Sequence, residues 1–159
     1  MERNVAPNVA HQMWALLHQT DRAIYKARDN EMKNLGISPM QAGILYILSA
    51  SDKPMPLNEI AAWVFREPPT VTEIITRMEN QKLVKRIRAR GKKNTVGVIV
   101  TQKGKEILRR QDEQRQAVED IMTVLTKDET ENLKVCLMKL REKALSHLIT
   151  KPELPFPLT

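Results

Sequence analysis

Thr70, Thr72, Glu73, Thr76 and Arg77 place hydroxyls, a carboxylate and a guanidinium within one short stretch. Their spacing leaves them off the apolar stripe of Val71, Ile74, Ile75, Met78 and Leu83, so a helix burying that stripe turns all five outward. Such side chains suit the base edges of a DNA duplex. Threonine hydroxyls donate or accept, arginine pairs bidentately with guanine, and glutamate accepts from a cytosine amine. Arg77 could equally hold a phosphate, and for Thr70 and Thr76 capping and solvated surface are the plain alternatives. Just downstream come Arg86, Arg88, Arg90, Lys92 and Lys93, a set for phosphates or the minor groove. Its plain alternative is a hairpin edge protected by charge.

These residues need a helix followed by a hairpin, and the pattern supplies both. From Val84 the period drops from the helical value to two, residues 90–94 supply turn chemistry, and residues 95–100 are rich in β-branched types. The charge is concentrated in the same place. The chain of 159 residues carries a net charge of +7, yet residues 77–110 hold twelve Lys/Arg against only Glu79 and Glu106. The remainder is slightly acidic, so the basicity belongs to one region and marks a polyanion site.

The length fits one ordinary domain, or a small domain with an added helical assembly. Cys136 is the single cysteine, no signal peptide precedes the first helix, and no apolar run approaches a bilayer span, so a cytoplasmic protein without membrane contact is expected. Cys136 itself reads as a buried hydrophobe on the last helix. His11 and His18 share a helix face and His147 lies far off, but no cluster has metal-ligand spacing, so no metal is expected.

In chain order, a long helix spans about 9–35 and stops at Gly36, longer than a small domain needs and hence a candidate partner interface. Ser38, Pro39 and Gln41 form a helix start with a capping box, and that helix runs to about Ala50. Residues 55–57 could make a very short strand. Asn58 is a plausible cap for a helix through Phe65, with Ile60, Ala61, Val64 and Phe65 inward. After Pro68 and Pro69 comes the helix at 69–83 and the hairpin at 84–101. Thr101 caps a helix to about Leu125, Thr126 and Glu129 make a second capping box, and the last helix reaches about Ile149 with an apolar seam of Leu133, Leu137, Leu140, Ala144 and Leu148. The tail, 151–159, holds three prolines and cannot be helical.

Leu57-Asn58-Glu59-Ile60-Ala61 at one helix start, Thr70-Val71-Thr72 at the next, Arg77-Met78-Glu79 ahead of Leu83-Val84-Lys85-Arg86, and Val100-Thr101-Gln102-Lys103-Gly104 closing the hairpin resemble the MarR family of bacterial and archaeal transcriptional regulators. Two positions depart from that pattern. Lys82 stands where a glycine is usual, and Gly91-Lys92-Lys93-Asn94 replaces an Asp-Asp-Arg-Arg type of turn. The resemblance implies a mainly α fold with a small β-hairpin: a winged helix-turn-helix domain at 37–101 on a helical dimerisation region at 1–36 and 102–150. It implies a homodimer joined through the N- and C-terminal helices, with helix 69–83 in the major groove of a near-palindromic operator, the basic wing 84–101 on the minor groove or backbone, and repression as the outcome. It also implies a small lipophilic or phenolic effector in a crevice that Met13, Trp14, Leu17, Met40, Ile44, Ile47 and Trp63 could line, although apolar residues at helical spacing are core by default.

Two rival classes are weighed against this reading. An enzyme would need a nucleophile beside a base, a glycine-rich phosphate loop or a metal motif, and none is present; no cofactor is called for. An RNA-binding or protein-interaction winged-helix adaptor could use the same cations. RNA recognition favours aromatic platforms, and no Phe, Trp or Tyr falls between Arg66 and Phe156, which favours double-stranded DNA.

Overall fold

Local chemistry sets where the helices begin. In the computed structural model, which describes residues 8–88, 96–113, 116–149 and Pro152, α1 (Val9–Met32) starts where the Asn8 side chain accepts from the Ala10 N–H at 3.0 Å. A 3-10 turn (Lys33–Leu35) closes it, and Gly36 takes a left-handed φ of 67°, which glycine adopts without a Cβ penalty. α2 (Pro39–Ser49) opens on the full capping box of Ser38 and Gln41.

β1 (Met55–Pro56) leads directly into α3 (Leu57–Trp63). The helix therefore begins before Asn58, with Pro56 at its N-cap and no side-chain cap, because the chain leaves the sheet straight into the helix. It also ends before Phe65, which is exposed in a left-handed turn with φ 51° rather than turned inward. α4 (Pro68–Asn80) follows, then β2 (Val84–Arg88) and β3 (Val96–Val100). The sheet has the order β1-β3-β2, all antiparallel, with Val84 opposite Val100 and Met55 opposite Val98.

Thr101 caps α5 (Gln102–Glu113) by accepting from the Gly104 N–H at 3.1 Å. A Cβ on Gly104 would fall 2.3 Å from the Leu83 carbonyl oxygen, so only glycine lets this helix start so close to the strand. α6 (Gln116–Met122) covers the second half of the helix expected over 102–125, and residues 114 and 115 between them are outside the described set. Glu31 reaches from α1 to accept from the Ala117 N–H at 3.0 Å, tying α1 to α6. α7 (Lys127–Leu145) opens on the second capping box, Thr126 with Glu129, and stops at Leu145, short of Ile149.

One core forms where α2, α3, α4 and the sheet meet. Ile44, Leu45, Ile60, Val71, Ile75, Met78 and Val98 are fully buried there, and Ile107 and Leu108 of α5 join them. The molecule is thus mainly helical around a small three-stranded sheet, a winged helix-turn-helix carried on long helices. Those long helices are much barer. Met32 is the buried residue of α1 and Leu145 that of α7, and Cys136 is exposed rather than buried.

Candidate nucleic-acid interface

Two prolines at the first two positions of α4 fix its entry, and the burial of Val71, Ile74, Ile75 and Met78 fixes its rotation. The opposite face is thereby settled. Thr70, Thr72, Glu73, Thr76 and Arg77 are all exposed along it, so the five residues singled out in the sequence share one surface. The helix ends at Asn80, three residues before the expected end. Lys82 adopts a left-handed φ of 62°, its N–H donates to the Glu79 carbonyl (2.9 Å) and the Leu83 N–H to the Met78 carbonyl (2.9 Å), a Schellman ending with lysine in the glycine position. That conformation costs a non-glycine residue about 1 kcal/mol. The neighbourhood holds it: the Thr101 hydroxyl donates to the Lys82 carbonyl at 2.6 Å and Lys103 Nζ to the Gln81 carbonyl at 2.9 Å. From the other side Gln41 Nε2 donates to Gln81 Oε1 at 2.8 Å, so the start of α2 braces the end of α4.

Hydrogen bonding narrows what the threonines offer. The Thr72 hydroxyl donates to the Pro68 carbonyl at 2.9 Å and the Thr76 hydroxyl to the Thr72 carbonyl at 2.8 Å. Each hydroxyl proton is therefore committed within the helix, and the surface receives methyl groups and lone pairs.

The wing cations divide into two kinds. Arg88 and Lys85 are exposed on β2, whereas Arg86 is half-buried against α4. Its main-chain N–H donates to Glu79 Oε1 at 3.0 Å, its Nη1 pairs with Glu79 Oε2, and its Nη2 donates to Thr76 Oγ1 at 3.0 Å and to the Thr72 carbonyl at 3.3 Å. Glu79 is thus a site residue that helix periodicity alone did not reveal; the available signal was an acid seven positions before an arginine across a helix-to-strand turn. Arg90, Lys92 and Lys93 lie outside the described residues.

A crevice of about 430 Å³ is lined by residues that include Arg28, Tyr46, Ile47, Trp63, Phe65 and Gln111. Of the seven residues expected there, Ile47 and Trp63 line it. Ile44 is fully buried in the core, Met40 lines a separate cavity beside Arg77, and Met13, Trp14 and Leu17 stand exposed on the first half of α1. Arg141 and Pro152 complete the wall, with Arg141 Nη2 donating to the Pro152 carbonyl at 2.6 Å. Gln111 is buried, and among the described residues its Oε1 has no hydrogen-bond partner. Sequence reading missed Gln111 and Arg141 because nothing local marks them. Among the described residues no group of three or more His, Cys, Asp or Glu could hold a metal; His11 and His18 instead flank the Trp14 ring, at centroid distances of 5.5 and 5.7 Å. No helix is long and apolar enough to cross a membrane among those residues.

No protein-family model matches this sequence, and no curated protein does. Solved structures match well. The organohalide-sensing transcriptional regulator RdhR-CbdbA1625, in its 2,4-dichlorophenol-bound form, is 25% identical with a TM-score of 0.82, covering 100% of this chain and 99% of that one. AbsC, a MarR family transcriptional regulator from Streptomyces coelicolor, is 20% identical with a TM-score of 0.80, covering 91% of this chain and 100% of its own. MepR of S. aureus, solved as a DNA complex, is 20% identical with a TM-score of 0.73 over 82% of this chain and 96% of its own. The chain therefore takes the winged helix-turn-helix fold of MarR-family transcriptional regulators, in agreement with the resemblance of its sequence motifs.

Proposed function

We propose that this protein is a homodimeric DNA-binding transcriptional repressor, released from its operator by a small phenolic or lipophilic effector. The observation that carries the reading is the exposed polar face of α4, from Thr70 to Arg77, set beside a basic hairpin on an otherwise slightly acidic chain. The DNA complex of MepR and the 2,4-dichlorophenol-bound transcriptional regulator RdhR-CbdbA1625 support it. In this reading α4 enters the major groove, Arg77 pairs with a guanine or a phosphate, and Arg88, Arg90, Lys92 and Lys93 hold the backbone or minor groove. A two-fold dimer sets its two α4 helices one duplex turn apart, ~34 Å, on a near-palindromic site.

The crevice is the effector site in this reading. Tyr46, Trp63 and Phe65 supply aromatic surface, and the buried Gln111 Oε1, without a partner among the described residues, accepts from a phenolic O–H. The 2,4-dichlorophenol bound to RdhR-CbdbA1625 makes that compound the first probe.

Selection of bound fragments from genomic DNA, followed by anisotropy titration of the recovered duplex at several salt concentrations, tests the whole. Tight, strongly salt-dependent binding that a single-stranded RNA fails to compete away is expected, as is loosening by 2,4-dichlorophenol. Lys92→Ala with Lys93→Ala should weaken binding to all duplexes and flatten the salt slope by up to about 0.9 per lost phosphate contact. Arg77→Ala should cost about 1–3 kcal/mol on the recovered site. Equal competition by RNA would sink the operator reading, and an unchanged salt series in the lysine double variant would remove the wing from it.

A further inference from the structure

Among the described cations of the reading head, Arg86 has its guanidinium engaged by protein at several points. It forks across Glu79, the Thr76 hydroxyl and the Thr72 carbonyl, and its own main-chain N–H returns to the same Glu79 carboxylate. The side chain is 25% exposed and that of Glu79 36%, so the pair is partly withdrawn from water. To reach a phosphate, Arg86 would have to give up these partners and leave the Glu79 carboxylate facing a polyanion, an unfavourable exchange.

We propose that Arg86 is a positioning residue and not a backbone contact: it fastens the first wing strand to the recognition helix and so fixes the base-reading surface that Thr72 and Thr76 present. This rests on the operator-binding reading above. The fastening spans the turn through Gln81, Lys82 and Leu83, where Lys82 is held in its left-handed conformation, so wing and helix are joined on both sides of the reversal. It also settles what Thr76 can do. With its proton on the Thr72 carbonyl and one lone pair on Arg86, Thr76 offers DNA a methyl group and a single remaining acceptor. Releasing Arg86 restores a second lone pair and lets the wing shift relative to the helix, so discrimination between sequences falls while the number of phosphate contacts does not. Lysine is no substitute, because a point charge cannot serve a carboxylate, a hydroxyl and a carbonyl together.

The test uses the full-length protein, the duplex recovered by wild type from the genomic pool, and a scrambled duplex of equal length, with affinities measured over a salt series. Arg86→Ala should lower the ratio of specific to scrambled affinity roughly tenfold, the scale of one lost base discrimination, and leave the salt slope unchanged. Glu79→Gln, a mild change that keeps an acceptor for the guanidinium, should lower the same ratio. Combining it with Arg86→Ala should add little, since both changes break one unit. Arg86→Lys should not restore the ratio. The proposal is overturned if Arg86→Ala weakens both duplexes equally and reduces the salt slope by about 0.9, the mark of a single phosphate contact. Absence of any preference by wild type itself for the recovered duplex would remove the operator reading first, and the positioning role with it.

Discussion

The winged domain and the long helices treat the same kinds of residue in opposite ways. In the winged domain Ile44, Leu45, Ile60 and Ile75 are sealed from water, each at 0% exposure. On α1 and α7 residues of the same chemistry stand open: Trp14 at 61%, Leu16 at 58%, Leu137 at 43% and Leu140 at 51%. One region closes its own core and the other does not. An exposed apolar stripe of this extent on two long helices marks an association surface, and full burial of each such leucine contributes about 1.5–3 kcal/mol. Among the described residues the winged domain buries its own apolar side chains, while the long helices leave an apolar surface open, the surface that the homodimer proposed above would cover.

The sharpest way to break this contrast is to charge the arm and leave the head alone. Leu137→Glu with Leu140→Glu places two carboxylates on the exposed seam of α7, at residues that are not part of the buried cluster of the winged domain. A monomer is expected by sedimentation, with near-native helicity and a fall in operator affinity of about 10²–10⁴-fold, as the two half-sites lose their linkage. A variant that stays dimeric would mean that this seam is not the interface.

The reverse experiment cuts into the head. Ile75 is fully buried on the inner face of α4, within the core cluster, so Ile75→Ala should lower stability by about 2–5 kcal/mol and reduce the thermal midpoint of the winged domain. Association through the arms should survive while the protein remains folded. Loss of less than about 0.5 kcal/mol would show that this core is not the cooperative unit.

What the sequence made legible follows the range of the interactions involved. Both capping boxes could be read because each lies within four consecutive residues, Ser38 to Gln41 and Thr126 to Glu129. The outward face of α4 could be read because its apolar stripe is strictly helical. The end of α4 could not, since the chain reverses at Lys82, a residue type that does not signal a left-handed turn, and contacts from Thr101 and Lys103 some twenty positions away hold it there. The start of α3 was misplaced for a similar reason: pairing of Met55 with Val98 decides it, and Asn58 plays no part. The crevice was the least legible. Its wall joins Arg28, Gln111 and Arg141 from three helices distant in sequence, and the apolar residues first assigned to it are partly core and partly the bare face of α1. Cys136, expected as a buried hydrophobe on the last helix, is exposed in the single chain.

The smallest effect separates the two regions by pH. The box that opens α2 in the head uses Gln41, which has no charge to lose, and the box that opens α7 in the arm uses Glu129. Glu129 Oε2 accepts from the Thr126 main-chain N–H at 2.8 Å and from its hydroxyl at 2.9 Å, and these bonds hold the carboxyl below the ordinary glutamate range. A depressed folded pKa gives stability that is present above the unfolded value and lost as pH falls through the lower folded value. On acidification the first turn of α7 should therefore fray before the first turn of α2, which carries no such carboxylate. Amide exchange at Thr126 and Glu129, compared with Ser38 and Gln41, reads this directly. Glu129→Gln should keep the box and abolish its acid sensitivity, and fraying at an unchanged pH in that variant would assign the effect to another group.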